Sequence, residues 1–141
     1  MRAVADTNVV VSGLLWQGPS RRVLDLARTG ALELFTPPAL LVELEDVLRR
    51  RKFRRRLEQA GVDPADLVVG YATLAQVVLP IERPVAIPED PDDDEVLACA
   101  LAARAEIIVS GDRHLKKLQS FRGIRIVTAA QVSPELPSSR D

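Results

Sequence analysis

Apolar positions along this chain follow two rhythms that alternate from one end to the other. Short blocks suited to buried or half-buried strands are Arg2-Ala3-Val4-Ala5, Leu32-Glu33-Leu34-Phe35, Val77-Val78-Leu79, Ile107-Ile108-Val109 and Ile124-Arg125-Ile126-Val127. Between them the period lengthens to that of helices. Val9 to Trp16 predicts a helix, broken by Gly18-Pro19. Ser20 caps a second through Arg28, with Val23, Leu24 and Ala27 inward and Gly30 at its end. Thr36-Pro37-Pro38 opens a third, whose stripe is Leu40, Leu41, Leu44, Val47 and Leu48. Asp63-Pro64 starts another that runs to about Ala75, and Asp94 to Ala105 is apolar nearly all round, as a central buried helix should be. The prolines and acids of residues 80–93 predict a loop, and residues 133–141 a loose tail. Strands alternating with helices predict an α/β fold: a three-layer α/β/α sandwich around a central, mainly parallel sheet of about five strands. A single domain is expected over residues 1–132, followed by the tail.

Composition narrows the class. With 141 residues, 47% hydrophobic and 28% charged, the chain can bury a real core and is expected to be soluble. No apolar run approaches the roughly 20 residues that span a bilayer. Strand-like sequence begins at once and reaches an acid at position 6, unlike a secretory signal. The one cysteine, Cys99, cannot form an internal disulfide and reads as a small core residue. An intracellular, cytoplasmic protein is therefore expected.

Charge is polarised although the net value is only −1. Residues 89–95 are almost all acids. The run Arg49, Arg50, Arg51, Lys52, Phe53, Arg54, Arg55, Arg56 is almost all bases. A solvated helix face, a phosphate-tracking surface for RNA and an anchor for an acidic protein partner all fit that run.

The acids matter more by position than by number. Asp6 follows an apolar strand in Asp6-Thr7-Asn8, and Asp112 follows another in Ser110-Gly111-Asp112. Each suits a helix cap. In an open parallel sheet, however, ligands bind outside the carboxyl ends of strands, which is where both lie. Glu43 sits at the edge of its helix's apolar stripe, about 40° from Val47. Asp90 to Glu95 opens the apolar helix, where acids favour the helix dipole. Asp94 leads the stripe Leu97, Ala98, Leu101, whereas Asp93 shares a face with Leu97 and Ala100, so geometry alone leaves the two open. Gathered carboxylates repel unless a cation neutralises them, and oxygen-only clusters suit Mg²⁺ and Mn²⁺. The pattern therefore points to metal-dependent phosphoryl transfer.

Other chemistries lack their residues. His114 is the only histidine, and no Gly-x-Ser-x-Gly elbow accompanies it. There is no Walker A or Gly-x-Gly-x-x-Gly loop and no Cys/His zinc spacing. A receiver-like or phosphatase-like domain would want a lysine near the last strand, and residues 124–130 hold none.

Taken together, Asp6-Thr7-Asn8, Glu43 in Leu41-Val42-Glu43-Leu44, Asp94-Glu95-Val96-Leu97-Ala98-Cys99-Ala100 and Val109-Ser110-Gly111-Asp112 resemble the PIN-domain family. The likeness is to members found as the toxin subunit of bacterial toxin–antitoxin pairs (VapC-like). Each fragment is short; their order and spacing carry the resemblance over most of the chain. It implies that Asp6, Glu43, Asp94 and Asp112 form a metal-binding catalytic site, with Asn8 and Ser110 in support. It selects Asp94 over Asp93, with Asp92 or Asp93 able to reach metal through water. It also implies a ribonuclease that uses Mg²⁺ or Mn²⁺, a homodimer and a small antitoxin partner. The competing reading is a non-catalytic RNA- or protein-binding module on the same fold.

Overall fold

A computed structural model describes residues 1–84 and 91–133. Its sheet has six strands: β1 (Arg2–Ala5), β2 (Glu33–Thr36), β3 (Gln76–Val77), β4 (Ile107–Val109), β5 (Ser120–Phe121) and β6 (Ile124–Val127). They lie in the order β3-β2-β1-β4-β6-β5, and every pairing is parallel except that of β5 with β6. The helices are α1 (Thr7–Leu15), α2 (Pro19–Arg28), α3 (Pro38–Leu48), α4 (Arg51–Ala60), α5 (Pro64–Leu74), α6 (Pro91–Ala103) and α7 (Arg113–Leu118).

Strand alternation divides the core in two, as a parallel sheet buried on both faces requires. Ala3, Ala5, Leu34, Ile107 and Val109 face one apolar cluster with residues of α1, α2, α3, α4 and α5. Val4, Phe35 and Ile108 face the other, with Leu97, Cys99, Ala100 and Ala103 of α6 and Leu115 of α7. The expected three layers are therefore present. Cys99 is wholly buried, and burial followed by the charge of Glu95 pushes its thiol up to about 12, so it packs as a small apolar group.

Local departures from the expected elements have physical reasons. The basic run, which from sequence could continue or follow α3, follows it. Arg49 ends that helix, Arg50 adopts an extended backbone, and α4 begins anew. Its inner face is reduced to Phe53 and Leu57. Helix α6 starts at Pro91, three residues before Asp94, since proline is tolerated in a first turn and acids there favour the helix dipole. The sixth strand is the two-residue β5, which doubles back onto β6 through Arg122 and Gly123, both at positive φ. The expected loop 80–93 is thus shortened by α6, with residues 85–90 outside those described, and the expected tail lies almost wholly beyond residue 133. Strand β3 begins one residue early and ends the sheet, leaving Val77, Leu79 and Ile81 exposed. Among the described residues, no helix is long and apolar enough to cross a membrane.

Helices α1 and α2 approach closely at Gly13, where an added Cβ would stand 2.8 Å from the Ser20 carbonyl oxygen and 2.8 Å from Leu24 Cδ1. A carbonyl fixed in a helix cannot give way as a side-chain tip can. Gly13→Ala should therefore cost about 1–3 kcal/mol and lower Tm by several degrees. Gly70→Ala, in open space on α5, should gain roughly 0.5–1 kcal/mol. Thermal melts of the two variants check this pair; equal shifts of one sign would contradict the packing.

Candidate active site

The parallel register of β1 and β4 sets Ala5 beside Val109. The next residues, Asp6 and Ser110, leave the sheet side by side at its carboxyl edge. Asp6 N donates to Val109 O at 3.0 Å, and Ser110 N donates to Val127 O at 2.9 Å, so the backbone ladder fixes both positions. Asp6 then caps α1 by accepting from Val9 N at 3.1 Å. The Ser110 hydroxyl donates to its other carboxylate oxygen. Ser110 Oγ also accepts from Asp112 N at 2.9 Å. Asp112 in turn caps α7, accepting from His114 N at 2.8 Å and Leu115 N at 3.2 Å. Both strand-end acids therefore do what a cap does, and one buried serine links them.

A recess of about 60 Å³ opens over this linkage, lined by Asp6, Thr7, Asn8, Glu43, Asp92, Asp93, Val96 and Asp112. That is room for an ion or a few waters. Glu43 reaches it from α3 and the two neighbouring aspartates from the first turn of α6. Of the acids expected from sequence, Asp6, Glu43 and Asp112 meet here, with Asn8 exposed at the rim. Asp94 does not line the recess. Starting α6 at Pro91 turns Asp93 inward, where it is 6% exposed, and places Asp94 about 100° around the helix and half-buried. Thr7 and Val96 complete the lining; the sequence offered them only as members of the Asp6-Thr7-Asn8 and Asp94–Ala100 motifs, with no role of their own.

Electrostatics separate the acids. Burial raises the pKa of Asp6 above the ordinary value, and the nearby Asp112 charge adds to the rise; the hydrogen bonds from Ser110 and Val9 offset only part. Burial also works against the Asp112 carboxylate, but a hydrogen bond with the Asp93 side chain, the N–H groups of Leu115 and His114, and the His114 charge outweigh it and lower its pKa. Beneath the site Tyr71 is buried, and among the described residues its hydroxyl has no hydrogen-bond partner. Burial, then Cys99 and Asp6, push that phenol above its usual range, so it stays neutral.

The donor set is all oxygen, the chemistry of Mg²⁺ and Mn²⁺. Among the described residues no three carboxylate, imidazole or thiol groups converge closely enough to hold one ion by themselves. Mg²⁺ commonly takes one or two carboxylates and keeps several waters, and the recess fits that mode.

A family model described as PIN domain matches residues 2–114. The chain belongs to the PIN domain family. The match spans every acid that lines the recess. The fold of this PIN domain is similar to one in the crystal structure of VapBC2 from Rickettsia felis bound to a DNA fragment from their promoter. The TM-score is 0.56, with 14% identity over 90% of this chain and 97% of that one. At that identity the likeness is one of fold. No curated protein matches the sequence.

The opposite shifts of Asp6 and Asp112 have opposite consequences in metal-free solution. A raised Asp6 pKa means the fold prefers its protonated form. Its contribution to stability is greatest below the unfolded value near 3.9 and falls as pH rises. Asp6→Asn, which keeps the cap, should therefore melt higher than the parent at pH 7, with the gain vanishing towards pH 4. A lowered Asp112 pKa gives stability above the unfolded value that is lost in acid. Asp112→Asn should melt lower than the parent at pH 7, by an amount that shrinks on acidification. Tm measured from pH 3 to 8 in chelator checks both slopes.

Proposed function

We propose that this protein is a ribonuclease that hydrolyses RNA phosphodiester bonds with Mg²⁺ or Mn²⁺, acting as the toxin of a toxin–antitoxin pair. The observation that carries this reading is the meeting of carboxylates from the β1–α1 junction, α3, α6 and the β4–α7 turn in one small recess of a PIN domain. Burying those charges together is costly unless a cation is held among them. Asp6, Glu43, Asp93 and Asp112 are the residues that would hold it, one or two directly and the others through water. Asp94 was the expectation from sequence, and Asp93 replaces it in the proposed set because of its place in the recess.

A bound divalent ion supplies an activated water and offsets the charge that gathers on the phosphate during cleavage. The protein's own groups fix the geometry. Ser110 and the Val9 N–H each hold one oxygen of Asp6, so its carboxylate presents a defined edge to the recess. Ser110 is a positioning residue, acting through Asp6 and the Asp112 backbone. Asn8, at the exposed rim, offers an amide to a phosphate oxygen. The likeness to the VapBC2 structure supports the toxin–antitoxin assignment. An antitoxin partner, a homodimer and a cytoplasmic setting belong to the same reading.

Purified protein incubated with single-stranded and structured RNA should cut only when Mn²⁺ or Mg²⁺ is present. Asp6→Asn should lower the rate by about 100-fold or more while remaining folded, and Ser110→Ala by roughly 10–100-fold. Asp93→Asn should be as damaging as Asp6→Asn, with Asp94→Asn close to the parent. The reverse order would return the site to Asp94. Full metal-dependent activity in Asp6→Asn would refute the assignment, and RNA binding without cleavage would favour the non-catalytic module.

A further inference from the structure

Helix α4 holds charges that the acid recess does not use. Some of its run is structural. Arg49 pairs with Glu45 and Asp63. Arg56 donates to the Leu15 carbonyl, where α1 ends and its last carbonyls lack helical partners. Arg50, Arg51, Lys52, Arg54 and Arg55 make no ion pair among the described residues. Arg51, Lys52 and Arg54 also crowd the first turn of α4, where the helix dipole disfavours cations. A bound polyanion would relieve that repulsion.

One aromatic stands at this surface. Trp16 is 41% exposed at the end of α1. The Arg56 guanidinium lies 5.0 Å from its ring centre, and Phe53 packs against it at 5.8 Å, tilted by 59°. Because Arg56 is tied to Leu15, the indole is braced by its neighbours yet open to solvent. Helical geometry puts Lys52 about 40° from Arg56 around α4, and Arg55 about 60° further round on the far side of Lys52. A groove of about 330 Å³ lies alongside, lined in part by Leu15, Arg56 and Leu57.

We propose that Trp16, with Lys52 and Arg55, forms a subsite for single-stranded RNA in which a base stacks on the indole and the cations meet flanking phosphates. Aromatic faces beside a cationic track are how unpaired strands are held without sequence readout. An acidic protein surface would match the charges but leaves the braced, exposed indole without a role. The subsite lies the length of α1 from the recess, roughly 14 Å for its nine residues. It would therefore fix where a strand sits without touching the scissile bond. This proposal rests on the ribonuclease reading, and its test is separate.

Trp16 is the only tryptophan, so its fluorescence reports on this position alone. The intact protein is titrated in chelator, which prevents cleavage, with oligouridylate, with an abasic ribose-phosphate strand of equal length and with polyglutamate. Binding is followed in parallel by anisotropy of labelled strands. Oligouridylate should quench the emission to saturation. The abasic strand should bind with little quenching. Trp16→Leu should weaken oligouridylate binding about tenfold, and Lys52→Gln with Arg55→Gln should flatten the salt dependence. Strand binding by anisotropy without quenching would place RNA elsewhere and overturn the proposal. So would quenching by polyglutamate alone, or no binding of any strand. Quenching without metal-dependent cutting would overturn the nuclease reading and leave the subsite standing.

Discussion

The parallel pairing of β1 with β4 is the constraint on which the acid recess depends. It brings two segments more than a hundred residues apart into adjacent positions, Asp6 beside Ser110, and the sheet ladder continues far enough to fix both. The serine hydroxyl then serves two acids at once, donating to the carboxylate of Asp6 and accepting from the N–H of Asp112. A one-residue slip in that register would turn the side chains of β1 to the other face of the sheet and dissolve the link. Everything else at the recess approaches this fixed pair from helices, Glu43 from α3 and Asp93 from α6.

Much of this was legible in the sequence because the relevant signals are local. Asp6 and Asp112 each follow an unbroken apolar strand, and that position predicts the sheet's carboxyl edge. Helical periodicity sets Glu43 only at the edge of its apolar stripe, and its place in the site came from the resemblance to the PIN-domain family. Asp93 and Asp94 stayed open on geometry, because the phase of α6 depends on where it begins, and four consecutive acids after Pro91 offer several equivalent starts. The strand β5 escaped for another reason. Two residues give no alternation to read, and its return turn uses Arg122 and Gly123 at positive φ, a conformation glycine advertises and arginine does not. The basic run could be seen but not sorted: only the folded chain shows that Arg56 is committed to the end of α1 while its neighbours are not.

Stability and chemistry pull apart at the recess. Desolvation acts against the charged forms of both strand-end acids, yet Asp112 recovers through the N–H groups at the start of α7 and Asp6 does not recover fully through its two partners. The fold thus keeps one carboxylate ready and one reluctant within the same small volume. Such divided environments are how a protein makes identical side chains chemically unequal. The larger apolar packing, including the buried face of α6, supports this local strain.

At the far margin of the sheet, β3 leaves Val77, Leu79 and Ile81 facing outward. Long apolar edges invite strands from other molecules and seed aggregates. Here the ordered edge is only two residues long, and Pro80 interrupts the segment immediately beyond, removing a donor that an incoming strand would need. The sheet therefore carries its own stop signal against fibrous growth, and a greasy border can persist in a crowded, protein-rich medium.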